Sequence, residues 1–323
     1  MPLTDANKSD LLLVMVTLLA GLSWMFSKEA VLLMPPLMFM AMRFLLAGAI
    51  LLIAAYRYLP RMTPELIWRS ARVGLVFGSA MSCWIMGLFF ASSVGEGAFL
   101  TSLGVVIVPV IARVAFKEAQ PVSTWFAIPV AGGGLALLSL KNGFHPEIGQ
   151  LFFVAAAFIF ALFFTLNTRA ANTRTVTNRA GISVRKERVP ALPLTAITLL
   201  TVGLVTTTLS ALLEPWQATF SDFSGAMAGW IIASATIGTA GRFFVQTYAQ
   251  SLSAHSHGVV ILVLEPVWVA LFAAVWLGET MSPTQLGGCG LIFAALLVNR
   301  WGPLSRALRG WLRKVTTKSR PAQ

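Results

Sequence analysis

The sequence predicts an all-α membrane protein with ten transmembrane helices in two inverted five-helix repeats. Of its 323 residues 57% are hydrophobic and only 11% are charged, whereas about 25% of the residues of a water-soluble domain are charged. The apolar stretches are long and continuous, while the spans of a membrane β-barrel would be short and would alternate with polar residues. The positions of the basic residues predict the orientation of the spans in the membrane. An internal repeat predicts the symmetry between the two halves.

Ten apolar stretches follow one another along the chain, and each approaches the roughly twenty residues that a helix needs to cross about 30 Å of hydrocarbon. The predicted spans lie near 11–29, 37–56, 71–91, 97–116, 123–140, 149–166, 191–213, 227–250, 257–277 and 284–300.

The basic residues orient these spans. Most of the 24 Lys and Arg residues fall in the N-terminal leader, in every second loop and in the tail after 300. Lys and Arg accumulate in cytoplasmic loops, so we expect a multi-pass protein of the plasma membrane, the inner membrane of a bacterium, with both termini in the cytoplasm. The same rule explains the net charge of +12 without a nucleic-acid partner.

Two polar segments stand apart from the spans. Residues 167–190 are basic and lack the aromatic residues that a nucleic-acid-binding surface would interleave, so we expect a mobile cytoplasmic loop. Residues 301–323 form a basic cytoplasmic tail. Trp and Leu recur at helical spacing among basic residues in 301–314, which predicts a helix lying on anionic membrane lipid.

An internal repeat appears when the sequence is shifted by 157 residues. GAFLTSLGVVIVP (97–109) then lies over AHSHGVVILVLEP (254–266), and Pro109 falls on Pro266. Residues 1–145 and 146–300 would form the two repeats. Five spans per repeat is an odd number, so the halves must have opposite orientations, as in many secondary transporters. Pro109 and Pro266 are candidate hinges because a proline inside a helix removes a backbone hydrogen bond.

Glycines recur in three of the spans. Gly74 and Gly78 form a small-xxx-small pair, and clusters occur at 132–134 and 287–290. We expect all of them to serve close helix packing rather than ligand binding.

Several segments together resemble the EamA branch of the drug/metabolite transporter superfamily. They are LSWMFSKEAVLLMPPLMFMAMRFLLAGAILL (22–52), AFLTSLGVVIVPVIARVAFKE (98–118), VQTYAQ (245–250), LEPVWVALFAAVWLGE (264–279) and the glycine-rich final spans of both halves. The resemblance covers nearly the whole chain. It implies a ten-helix bundle around a central cavity that opens alternately to the two sides, and transport of amino acids, related metabolites or drugs.

Two charged residues are predicted to meet at mid-membrane. Arg242 lies about 15 residues into a span that runs inward, and Glu265 about eight residues into the next span, which runs outward. At 1.5 Å per residue their depths differ by only a few Å. We expect an ion pair or a shared polar network facing the cavity, with either a functional or a structural role. The repeat places apolar Ile85 and Val108 at the matching positions of the first half.

A second charged group is Lys28, Glu29 and Arg43, in the outer third of the membrane. We expect Glu29 to pair with Arg43, while Lys28 either reaches water or a ligand carboxylate or anchors the helix end by snorkelling.

Polar and aromatic residues near Arg242 complete the predicted site. Gln246 follows Arg242 by four residues and Gln250 follows by four more, so the three share a helix face, with Tyr248 nearby. Trp24 and Trp84 are candidate aromatic walls. The predicted substrate-binding residues are therefore Trp24, Lys28, Arg43, Trp84, Arg242, Gln246, Gln250 and Glu265.

We expect no cofactor, no metal and no enzymatic activity. His255 and His257 have no evident third ligand and are read as interfacial histidines, and Cys83 and Cys289 lie in apolar runs. The sequence contains no GxxxxGK[ST], HExxH, CxxC or GxSxG motif.

The sequence thus predicts a secondary transporter of a small amphipathic metabolite, such as an amino acid, that acts by alternating access and as an exporter. Proton coupling is one expectation for Glu265, and the coupling ion and oligomeric state stay open. One alternative is an intramembrane enzyme or assembly subunit acting on lipid-like substrates, with catalytic carboxylates or histidines clustered at one interface. Another is a structural helper in which the buried charges only join helices.

Overall fold

The protein is a helical bundle. A computed structural model describes residues 5–116, 122–139, 147–177, 183–252, 262 and 264–299. The helices are α1 (Asp5–Val31), α2 (Pro36–Ala54), α3 (Pro64–Phe90), α4 (Val94–Phe116), α5 (Val122–Ser139), α6 (Ile148–Ala171), α7 (Ala191–Leu213), α8 (Trp216–Ser221), α9 (Gly225–Ala233), a π-helix (Ser234–Gly241), α10 (Arg242–Leu252), α11 (Glu265–Leu277) and α12 (Pro283–Asn299), with a 3₁₀ turn at Leu59–Arg61.

Seven helical segments of the described residues are long and apolar enough to cross a membrane. They are Leu11–Val31, Pro36–Ala54, Pro64–Phe90, Val94–Phe116, Ile148–Ala171, Ala191–Leu213 and Gly225–Ala249. The chain is therefore a multi-pass membrane protein. The other three predicted spans overlap α5, α11 and α12, and α11 begins only at Glu265, so the count of ten stays a prediction.

The segment predicted as a mobile loop contains regular structure. Strand β1 (Arg174–Thr177) pairs antiparallel with β2 (Ser183–Lys186), with Val176 opposite Val184. The β-branched Thr and Val residues suit a strand better than a loop. The described part of the fold is thus helical with one short hairpin, which the sequence did not predict, and the mobility and cytoplasmic position of this segment stay predictions.

Helices α2 and α7 meet through the same short motif, Leu-x-x-Gly, at 45–48 and 200–203. A β-carbon at Gly48 would lie 2.7 Å from Cγ of Leu200, and one at Gly203 would lie 2.7 Å from Cδ2 of Leu45. Each glycine therefore makes room for the leucine of the other helix, and the backbones approach closely.

The predicted packing role of the other glycines is only partly right. Gly74 and Gly78 do face α7, where added β-carbons would contact Thr201 and Val205. Gly134 faces the Gly288 carbonyl of α12, at 2.7 Å from such a β-carbon. Among the described residues, however, no atom lies within 4 Å of the β-carbon position of Gly132, Gly133, Gly287 or Gly290.

Two carboxylates cap helix starts in the first half from positions in the second. The free amides of a helix N-terminus need acceptors. Leu37 and Met38 of α2 donate to Glu214 at 2.8 and 2.7 Å. At the start of α4, Val94 and its neighbour Gly95 donate to Glu279 at 2.8 and 3.2 Å, as the Ser93 hydroxyl does at 2.9 Å.

Candidate functional site

A central cavity lies among α1, α2, α3 and α4 of the first half and α6, α10 and α11 of the second. It holds about 730 Å³ of empty space, including the part open to solvent. Its wall is mainly apolar and rich in aromatic side chains, and a small set of charged and polar side chains enters it. Small-molecule sites in proteins have this composition.

Glu265 is the one carboxylate among the described lining residues of this cavity. It is the first residue of α11, where the helix dipole favours a negative charge. Its Oε2 lies 3.0 Å from Nη2 of Arg242, and its Oε1 accepts a hydrogen bond of 3.1 Å from the indole N–H of Trp24. The contact predicted from the matched depths of Arg242 and Glu265 is present, and both residues line the cavity.

Arg242 enters the cavity directly after the π-helix, as the first residue of α10. Its guanidinium lies 4.8 Å from the ring centroid of Phe243, a cation–π contact. Its Nε is buried and has no hydrogen-bond partner among the described residues. Arg242 therefore has donor capacity beyond its ion pair with Glu265.

Arg43 is 1% exposed and binds neutral groups. Nη1 donates to Ser27 at 2.7 Å, Nη2 donates to Ser23 and to the Gly238 carbonyl at 3.2 Å, and Nε donates to Thr239. One side chain of α2 thus joins α1 to the π-helix.

The predicted Glu29–Arg43 pair is wrong. Glu29 instead accepts a 3.0 Å hydrogen bond from Trp276. Residues two positions apart do not share a helix face, whereas residues four apart do. Ser23 and Ser27 therefore both face Arg43, and Glu29 points away from it.

Lys28 lies outside the cavity lining. Its Nζ donates to the carbonyls of Leu88 and Ala91 at the end of α3, at 3.3 Å each. These carbonyls are the negative end of a helix, which favours a cation. Lys28 thus holds the end of α3 to α1, and its predicted contact with a ligand stays a prediction.

The two predicted tryptophans are neighbours in the cavity wall. Trp24 and Trp84 meet edge to face with ring centroids 4.7 Å apart, and Phe153 lies behind Trp24 at 5.7 Å. This edge-to-face arrangement suits the quadrupoles of aromatic rings.

The structure describes only part of the polar stripe predicted on α10. Gln246 is 2% exposed and lines the cavity. Tyr248 is 41% exposed and stacks on Phe244. The side chain of Gln250, together with His255, His257 and the tail 301–323, lies outside the described residues.

Sequence reasoning missed several lining residues. Phe77 stacks on Phe163 with centroids 4.0 Å apart, and both line the cavity with Met81 and Phe160. Phe77 and Met81 precede Trp84 by seven and three residues and so share its helix face. That spacing could have found them.

The proline positions differ from each other. Pro109 lies inside the continuous helix α4. Pro266 lies in the first turn of α11, where proline is tolerated because the missing N–H is free in any case. Residues 253–261 and 263, which precede it, lie outside the described part, and both hinge roles stay predictions.

Comparison with known proteins decides the family. The model of the EamA-like transporter family matches this chain twice, over residues 7–140 and 147–301. The chain belongs to the EamA-like transporter family. The resemblance noted from the sequence is thereby confirmed, and family membership indicates a transporter rather than an enzyme.

Two further similarities agree with the EamA-like assignment. An uncharacterized transporter of Archaeoglobus fulgidus is 24% identical over 290 residues, which cover 90% of this chain and 85% of that protein. A solved crystal structure superposes with a TM-score of 0.63 at 20% identity and covers 93% of this EamA-like chain and 98% of its own. At that identity the structural likeness shows a shared fold alone.

Proposed function

We propose that this protein is a secondary transporter that moves a small amphipathic metabolite, an amino acid or a related compound, out of the cell by alternating access. The observation that carries the proposal is the central cavity, which both halves of the chain line and which Arg43, Arg242 and Glu265 enter. Ionisable side chains inside a membrane protein usually mark a substrate or ion pathway.

The packing of the helices supports two inverted repeats, 1–145 and 146–300, of five spans each. If α9, the π-helix and α10 form one span, each of α2, α4 and α5 packs against its own counterpart, which is α7, α11 and α12 respectively. The pairing of α3 with α6 is likewise matched by that of α10 with α1. The reciprocal Leu-x-x-Gly contact of α2 and α7 has the same symmetry.

In the proposed orientation the inner membrane of a bacterium holds the bundle with both termini, including the tail 301–323, in the cytoplasm. Lys28, Glu214 and Glu279 then lie at the outer end of the bundle. There Lys28 holds the end of α3, and Glu279 caps the start of α4. Of these three residues, Glu214 and Glu279 join the two halves, so opening toward the outside would have to break their contacts, with Pro109 and Pro266 as hinges.

The test is solute flux in proteoliposomes. Vesicles are loaded with labelled amino acids, aromatic acids and organic cations, with and without a proton gradient. We expect saturable flux of one class, reduced at least about tenfold in Glu265→Gln because the Arg242 charge is then unpaired in the cavity. Glu29→Gln is the matched control, since Glu29 lies outside the described cavity lining and, within the described chain, accepts a hydrogen bond from Trp276 alone.

Each result has a distinct meaning. Flux that Glu265→Gln reduces and Glu29→Gln spares supports the proposal with Glu265 in the mechanism. Equal flux in both variants keeps the transporter and makes the Arg242–Glu265 pair structural. Absence of flux for every solute with folded protein would overturn the transporter and favour lipid-like substrates.

A further inference from the structure

We infer that the cavity binds an aromatic or branched apolar monocarboxylate that carries no ammonium group. The inference rests on the proposed function, because it names the substrate class of the same site. Three properties of the cavity carry it: its charge, its unused hydrogen-bond donors and its wall.

The charged residues that line the described cavity do not balance. Arg43 and Arg242 each bring a guanidinium, and Glu265 brings the opposing carboxylate. A guanidinium stays protonated in proteins. Glu265 pairs with Arg242, while Arg43 is held by hydroxyl and carbonyl groups. An unbalanced positive charge in a low-dielectric space attracts an anion and repels a cation.

Two donors without a partner among the described residues lie on one helix face. Nε of Arg242 is buried and has no described partner. Gln246, one turn further along α10, lines the cavity, and within the described chain no hydrogen bond engages its amide. A carboxylate accepts strong, charge-assisted hydrogen bonds from an arginine, and the two amide N–H groups of a glutamine can donate to it as well.

An ammonium group would find no unpaired carboxylate among the described lining residues. Both oxygens of Glu265 are engaged, Oε1 by Trp24 and Oε2 by Arg242, and its charge is neutralised by the latter. A substrate ammonium would therefore lose its hydration without gaining a free carboxylate. This separates the expected substrate from a zwitterionic amino acid.

The wall sets the shape of the remaining part of the ligand. Phe77, Phe163 and Trp84 line the space with apolar surface. Aromatic walls bury an aromatic or branched apolar body favourably. A ligand with its acid group at Arg242 and Gln246 and its apolar body against these rings would use the whole cavity.

Three compounds that share a phenylethyl group but differ in charge test the inference. 3-Phenylpropionate carries a carboxylate, phenethylamine carries an ammonium group, and phenylalanine carries both. Equilibrium binding of each radiolabelled compound to purified full-length protein is measured in detergent. We expect 3-phenylpropionate to bind at least about tenfold more tightly than phenylalanine and phenethylamine to bind most weakly.

Two variants test whether Arg242 and Gln246 donate hydrogen bonds to the ligand carboxylate. Arg242→Gln should weaken 3-phenylpropionate binding at least about tenfold, while the exposed Arg57→Gln should leave it unchanged. If Arg242→Gln does not fold, Gln246→Leu, which keeps every charge, should weaken the same ligand severalfold and leave phenethylamine unaffected. A variant at either position that binds 3-phenylpropionate like the parent would overturn the assignment.

The inference and the proposed function fail separately. Tighter or equal binding of phenylalanine or phenethylamine, or no binding of any of the three to folded protein, overturns the inference even if flux of another solute is found. Binding in the expected order without flux in proteoliposomes keeps the ligand class and overturns the transporter.

Discussion

Arg43 joins three parts of the bundle through one side chain: α2, which carries it, the Ser23 and Ser27 hydroxyls of α1, and the π-helix at Thr239. Its guanidinium also lies over Phe39 and Phe44, at 5.8 and 5.5 Å from the ring centroids. The planar guanidinium of arginine, with its five N–H donors, fits this arrangement, whereas the ammonium group of a lysine does not.

Arg43→Lys should therefore lower stability while keeping the charge. Because a lysine cannot reach the same hydroxyls in one geometry, we expect the free energy of unfolding to fall by about 2 kcal/mol, seen as a lower Tm in detergent. Arg57→Lys is the control, since Arg57 is exposed and bonds only to Tyr56. An unchanged Tm for Arg43→Lys would show that the network contributes little.

The two arginines that line the cavity show what the sequence could and could not predict about the site. The Arg242–Glu265 contact follows from depth in neighbouring spans, because helix rise fixes depth. The partners of Arg43 depend on which face of α1 it meets. Glu29 was predicted because it carries the opposite charge. The four-residue spacing of Ser23 and Ser27 carried the right answer, but hydroxyls are common in membrane helices and give a weak signal.

The π-helix is, like the hairpin, an element that the sequence did not predict. Ser234–Gly241 lies between α9 and α10, and the side-chain hydroxyl of Thr239 donates to the Ser234 carbonyl at 2.8 Å. Nothing in SATIGTAG distinguishes it from an apolar α-helix. π-helical turns are rare and are often found at functional sites. Here the π-helix ends directly before Arg242.

Gly238→Ala tests how tightly the π-helix is held. A β-carbon at Gly238 would lie 2.9 Å from Oγ of Ser23 and 3.1 Å from its Cβ, so the helix must shift away from α1. We expect a lower Tm and reduced ligand binding. Gly229→Ala, on α9, is the matched control.

For Gly229 no described atom lies within 4 Å of the added β-carbon. Alanine is the better helix former by about 1 kcal/mol, so this control should keep or raise the Tm. If both variants melt alike, the π-helix is not wedged against Ser23 and Arg43.

At the scale of the whole molecule, composition was sufficient to predict a multi-pass helical membrane protein, because a bundle in lipid needs apolar residues on nearly every face. The repeat was harder to place. The shift of 157 residues aligns Pro109 with Pro266, but the Leu-x-x-Gly motifs of α2 and α7 align only at a slightly shorter shift. Insertions within one half would hide the proposed symmetry from a comparison at one fixed offset.

The orientation can be tested on intact cells. In a background without Cys83 and Cys289, single cysteines replace Asp222 or Arg188, both exposed. A membrane-impermeant maleimide should label Asp222→Cys from outside and label Arg188→Cys only after the cells are opened, because positively charged loops stay cytoplasmic. The reverse pattern would show that the bundle has the opposite orientation in the membrane and would contradict the proposed cytoplasmic position of the termini.

If this end of the bundle opens during transport as proposed, the Glu279 cap on α4 is its gate, and the surrounding lipid affects how readily that gate opens. If the carboxylate withdraws, the amides of Val94 and Gly95 lose their acceptor. In water new partners replace it at once, whereas in hydrocarbon each bare amide costs several kcal/mol. A thicker bilayer that buries this end should therefore hold the gate shut, and a thinner one should let it open.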